Sequence, residues 1–197
     1  MNSHSFNRRM VSSLRSAVLT LPEAVIGTLS FLLFVLNTLF WSLSLFPVAA
    51  LKLVYRSRSW QDRCNAVLNR IALWWIGCNN TNLSITKKIR WHVKGIEGLE
   101  PNGWYLVVSN HQTWVDILVL QKVFHRKIPF LKFFLKKELI WVPILGLAWW
   151  ALEFPFMKRY SAPFLKRNPH LRGKDIEITK KACERFKRMP ISVMNFV

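Results

Sequence analysis

Between residues 24 and 51 the chain runs for 28 positions without a charged residue. As a helix this run is roughly 42 Å long at ~1.5 Å per residue, more than the ~30 Å of a bilayer's hydrocarbon core. It is too long for the apolar core of a signal peptide, so it reads as a retained membrane anchor. Pro47 and Asn37 permit a bent or re-entrant path. Next, Cys64, Val67, Leu68, Ile71, Trp74 and Trp75 recur at helical spacing within residues 60–77, with Arg63, Asn69 and Arg70 off the stripe. A helix of this kind lies in the lipid interface or packs on a domain core, and the neighbouring anchor favours the interface.

After Asn79-Asn-Thr-Asn82, which reads as punctuation, the period changes. Residues 89–93 alternate as a half-buried strand does, and residues 104–109 form a short apolar strand. A polar corner and an apolar helix over 113–124 follow. Residues 128–131 are extended, with Pro129 marking a sheet edge. A buried helix over 140–152, a strand over 154–157, an amphipathic helix over 175–188 and a strand over 191–197 complete the pattern. Strands alternating with helices predict an α/β domain with a largely parallel sheet flanked by helices, behind an N-terminal membrane-attached helical segment. The expected division is a basic N-terminus and anchor (1–57), an amphipathic or interfacial helix and linker (58–82), and a domain over 83–197. Because that domain stops inside a buried strand, it is expected to be incomplete at its C-terminus.

Composition narrows the class. The chain has 197 residues and a net charge of +19, yet its 10 Trp and 14 Phe exclude a disordered basic tail. A single long apolar run excludes a polytopic membrane protein. Three cysteines without Cys-x-x-Cys spacing suggest reduced thiols filling apolar gaps in a cytoplasm-facing domain. Arg8, Arg9 and Arg15 precede the apolar run, while Lys52, Arg56, Arg58 and Arg63 follow it. Charge on both flanks leaves the orientation of the helix itself undecided.

The segment Asn110-His-Gln-Thr-Trp-Val-Asp116 is the one that suggests chemistry. On a regular helix His111 and Asp116 would be about 140° apart and share no face. With His111 in a strand-to-helix turn and Asp116 in the first helical turn, the carboxylate can reach one ring nitrogen and leave the other as a general base. Such a dyad suits acyl transfer to a substrate hydroxyl and needs neither a protein nucleophile nor a metal. His92, His125 and His170 show no ligand spacing, and His4 lies near the terminus. All four are expected to be structural or exposed.

The sequence Asn110-His111-x-x-x-x-Asp116 resembles the first signature of the glycerolipid acyltransferases, the His-x4-Asp family of lysophosphatidic acid acyltransferases. Lys136-Lys-Glu-Leu139 followed by Trp141-Val-Pro-Ile-Leu-Gly146 is similar to the family's connection to its second signature. Phe154-Pro-Phe-Met-Lys-Arg-Tyr-Ser161 resembles that second signature. The wording is most similar to bacterial inner-membrane 1-acylglycerol-3-phosphate acyltransferases, over about residues 88–197. The resemblance implies that His111 takes the proton from the free hydroxyl of a lysophospholipid as it attacks an acyl thioester, and that Asp116 orients His111. It further implies that Arg159 holds the substrate phosphate, with Lys136 or Lys137 as a point charge and Asn110 beside them. The donor would be acyl-CoA or an acyl carrier protein thioester, with no bound cofactor. In this family a Glu-Gly-Thr-Arg signature follows the strand that resembles Val193-Met-Asn-Phe-Val197. This chain ends there, so it is expected to be a fragment that alone transfers little acyl group.

The expected partners are the phospholipid membrane and the two substrates, with the domain facing the cytoplasm at the inner membrane. From Lys158 to Arg188 there are eleven Lys or Arg against three acids, which is also the footprint of a nucleic-acid binder. No nucleic-acid motif accompanies it, and anionic lipid attracts the same charge at ~1 kcal/mol per basic residue. A non-catalytic lipid-binding protein that keeps the fold is the alternative.

Overall fold

The computed structural model describes residues 3–55, 57–158, 166, 167, 173–187 and 189–197. Three helices come first: α1 (Ser3–Val18), α2 (Glu23–Val54) and α3 (Arg58–Thr86). The apolar pattern predicts nothing where α1 lies, and α1 packs on α3. Helix α2 takes up the whole charge-free run, with Glu23 in its first turn and Lys52 in its last, the signs that suit the helix dipole. Among the described residues it is the one helix long and apolar enough to cross a bilayer. Ser57 caps α3 by accepting a hydrogen bond from the Trp60 amide at 3.3 Å.

α2 and α3 form an antiparallel hairpin. Near the turn, Lys52 Nζ donates to Asn65 Oδ1 at 2.6 Å. Midway, Asn37 Nδ2 donates to Asn79 Oδ1 at 2.7 Å and to the Trp75 carbonyl at 3.1 Å. At the far end Asn82 Nδ2 donates to the Ser30 carbonyl at 3.0 Å. These bonds explain one departure from the sequence reading. The Asn79–Asn82 run is no linker but part of α3, because α2 supplies hydrogen-bond partners for its side chains. The stripe on α3 is divided: Cys64 and Leu68 are buried with Ala72 and Ile76, while Val67 and Trp74 stay exposed. Cys64 does fill an apolar gap, but Cys78 and Cys183 are exposed.

The domain is α/β, as the alternation predicts. Strand β1 (Tyr105–Ser109), helix α4 (Val115–Phe124) and strand β2 (Leu131–Phe133) lead, after Phe134, to β3 (Leu135–Lys136) and a 3-10 helix (Lys137–Trp141). Helix α5 (Leu145–Ala151), β4 (Phe156–Met157), α6 (Lys174–Phe186) and β5 (Ser192–Phe196) complete it. The last strand enters the middle of a parallel sheet ordered β1-β5-β2, pairing Val107 with Met194 and Phe133 with Met194. A strand covered on both edges belongs in the core, and Met194 and Ser192 are fully buried. β2, two residues after Pro129, is an edge strand. β3 and β4 form a separate parallel ladder that pairs Lys136 with Met157.

Two further expectations fail locally. Residues 89–93 join no ladder among the described residues, although β1 and β2 each leave one edge open, and Ile89, Trp91 and Val93 remain exposed. The single helix expected over 140–152 is broken, because Pro143 disfavours helical backbone before it and Ile144 adopts φ +66°. Gly146 restarts the chain as α5, and a Cβ there would overlap the Ile140 carbonyl oxygen. The core joins hairpin and domain through Leu45, Leu68, Ala72, Phe130, Leu152 and Met194.

Candidate active site

In a parallel sheet all strands end on one side, and that side is where open α/β sheets bind their ligands. Here the carboxyl ends are Ser109, Phe133 and Phe196, with Ser109 opposite Phe196 in register. The corner from Asn110 to Trp114 leaves β1 at that edge and turns into α4.

Asp116 organises this corner. Its Oδ2 accepts the amide of Gln112 at 2.7 Å and the amide of Thr113 at 2.9 Å. The same oxygen lies 3.2 Å from His111 Nδ1. Thr113 adds a bond from the Val115 amide to its Oγ1 at 3.2 Å. The two backbone amides, Thr113 foremost, hold the Asp116 carboxyl below its ordinary value, and His111 adds to the effect. An ionised carboxylate only accepts hydrogen bonds, so the contact requires the proton on Nδ1 of the neutral imidazole. Nε2 then carries the lone pair, and among the described residues no hydrogen-bond partner occupies it.

The ring is fixed from beneath as well. His111 stacks on Phe196 at 4.1 Å between centroids and 25° between planes. Phe196 stacks on Phe133 at 5.9 Å, and Phe133 on Phe154 at 6.4 Å. This row of rings ties the imidazole to the last strand, the edge strand and the segment after α5. Its side chain nevertheless keeps 43% of its accessible surface, so a substrate can reach it.

A cavity of about 490 Å³ lies beside the corner. Trp114 and Ile117, which bracket Asp116, form one wall; Phe34 of α2, Trp75 of α3, and Trp149 and Phe154 form others. Its lining is almost wholly apolar. The hairpin is therefore part of the site's architecture and not merely a tether.

The structure brings Asn110, His111 and Asp116 together in one exposed corner. Lys136 and Lys137 are exposed at the end of β3 and the start of the 3-10 helix. Among the described residues neither lysine bonds to the dyad. Register places Lys136 opposite Met157, two residues before Arg159; Arg159 itself lies outside the described residues, as does His170. His125 packs beside Gly77, with burial and the charges of Arg126 and Lys122 pushing its pKa down. His92 is exposed. Sequence reasoning missed Phe196, the platform of the imidazole, because only the ladder register brings it under residue 111.

A family model described as Acyltransferase matches residues 90–196, more than half of the chain. No curated protein and no solved structure matches it.

Proposed function

Because the chain belongs to the acyltransferase family, we propose that it transfers an acyl group from a thioester to the free hydroxyl of lysophosphatidic acid, giving phosphatidic acid. The observation that carries this reading is the pinned imidazole. Nδ1 faces an ionised Asp116 while Nε2 stands open at the carboxyl end of a parallel sheet. In the reaction, Nε2 removes the hydroxyl proton as the oxygen attacks the thioester carbonyl. The tetrahedral intermediate collapses with loss of thiolate, and the imidazolium returns the proton to it as the thiol leaves. Asp116 stabilises the imidazolium between these steps.

Arg159, for which a planar fork of donors suits a phosphate, is assigned the lysolipid headgroup, with Lys136 or Lys137 and Asn110 in support. The donor is acyl-CoA or acyl carrier protein. The apolar cavity beside Trp114 suits an acyl chain. The protein works at the cytoplasmic face of the inner membrane. α2 runs past the domain from Phe31 and Phe34, which face the cavity, to Lys52, which pairs with Glu153 at 2.6 Å. α3, bearing Asp62, Arg63 and Arg70, lies along it. A helix flanked in this way lies in the plane of one leaflet, because an upright α2 would pull the charges of α3 and the domain into hydrocarbon.

The test is phosphatidic acid formation from a labelled acyl thioester and lysophosphatidic acid, with enzyme in stoichiometric amount. Wild type is expected to form a small amount of product and His111→Ala to lose about 10²–10⁴-fold of that low rate. Equal rates contradict the proposal. No product from either protein favours the alternative, a non-catalytic lipid-binding protein.

A further inference from the structure

Four large apolar side chains recur at three-residue spacing from the end of the 3-10 helix, through the turn, into α5. Trp141 is 85% exposed, Ile144 39%, Leu147 51% and Trp150 43%. Ala148 and Ala151 of α5 are buried, while Leu147 and Trp150 remain exposed. Four large apolar side chains left exposed within ten residues of a small domain mark an interaction surface. α5 packs against α2, the helix that carries the longest apolar run.

The backbone beneath these side chains is strained in a way that serves display. Ile144 has φ +66° and ψ −55°, a conformation that β-branched residues almost never adopt. It is the centre of a three-residue turn closed by the Leu145 amide on the Pro143 carbonyl at 2.6 Å. The Gly146 amide bonds the Val142 carbonyl at 2.8 Å, and the lack of a side chain lets Gly146 sit against Leu139 and Ile140. Strain of this kind persists only where surrounding contacts impose it. Its result is that Ile144 projects outward, level in spacing with Trp141 and Leu147, instead of joining a continuous helix.

We propose that this turn is a second membrane contact, a wedge of Trp141, Ile144, Leu147 and Trp150 that enters the headgroup region of the bilayer beside α2. Charge and side-chain type identify lipid as the partner. Lys136 and Lys137 are exposed at the base of the wedge, with Glu138 the one acid there, in a chain of net charge +19. Tryptophan at two of four positions with lysine nearby is the composition of a membrane interface, where indole sits at headgroup depth and cations meet lipid phosphates. The wedge follows β3, whose last residue pairs with the segment leading to Arg159. It therefore holds the edge of the proposed substrate site at the depth where a lysolipid headgroup lies. The wedge depends on α2 being in lipid but not on the acyltransfer chemistry.

The test places an environment-sensitive label on one accessible cysteine, in the full chain with the exposed Cys78 and Cys183 replaced by serine and the buried Cys64 left in place. Trp141→Cys reports the wedge and Phe40→Cys reports α2; both positions are exposed, so labelling disturbs no core. The protein is placed in nanodiscs of phosphatidylcholine and phosphatidylglycerol, with or without lipid nitroxides. Both labels are expected to shift to the blue, to be quenched several-fold by nitroxide lipid, and to be shielded from aqueous iodide. Quenching at 40 with iodide access at 141 overturns the wedge while leaving the anchor in place. Iodide access at both positions overturns the wedge and the membrane role of α2 together.

Discussion

One carboxylate oxygen at Asp116 receives two backbone amides and an imidazole, and this decides how the site responds to pH. Its pKa is lowered in the folded chain, with the Thr113 and Gln112 amides as the largest causes. A carboxyl of depressed pKa stabilises the fold fully above its unfolded value, ~3.9, and that contribution is lost as pH falls through the lower folded value. The corner over residues 110–116 is therefore expected to keep its hydrogen bonds in mildly acidic solution. The check is the carbon-13 shift of the Asp116 carboxyl, which should titrate below pH ~3.9. A midpoint at or above that value contradicts the arrangement. This part of the site was legible in the sequence, since the five-residue spacing of His111 and Asp116 demands a turn followed by a first helical turn. The pairing with the amides was not, because nothing in the residue types fixes which groups the carboxylate accepts.

Among the elements, the hairpin of α2 and α3 shows how tertiary partners override local pattern. Asn79-Asn-Thr-Asn82 has poor helix formers and reads as a break, yet α3 continues through it because Asn37 and Ser30 of α2 meet Asn79 and Asn82. The strand expected over 89–93 shows the converse: its alternation is present, yet it pairs with neither open edge of the sheet. By contrast β1, α4 and β5 lie within a residue or two of their expected bounds, since their apolar runs are bordered by polar turns. The Asn37 bridge should be measurable. Asn37→Leu removes two hydrogen bonds and leaves Asn79 Oδ1 without its donor in an apolar groove. A loss of about 1–2 kcal/mol in detergent-solubilised unfolding is expected. Asn37→Leu with Asn79→Leu should recover most of it, whereas two additive losses would argue that the bridge does not fix the hairpin.

At the scale of the whole molecule, the imidazole, the apolar cavity and the hairpin form one unit. Phe196 of the last strand supports His111, Trp114 beside the dyad faces the cavity, and Phe34 of α2 closes it from the hairpin side. The apolar hairpin and the corner that bears the dyad thereby share walls, which suits the proposed substrate with its polar headgroup and apolar tail. The sequence pointed to an anchor followed by a parallel α/β domain. It did not reveal that the two share a core, because contacts such as Leu45 with the domain join residues far apart in the chain. Everything proposed for the reaction requires that His111 and Asp116 act as one device. The measurement that tests it most directly is a double-mutant cycle on the acyl-transfer rate, using His111→Ala, Asp116→Asn and the two combined. If Asp116 works only through His111, the combined variant should be no slower than His111→Ala alone. Losses that multiply would contradict the claim, since each residue would then act on the reaction by a separate route.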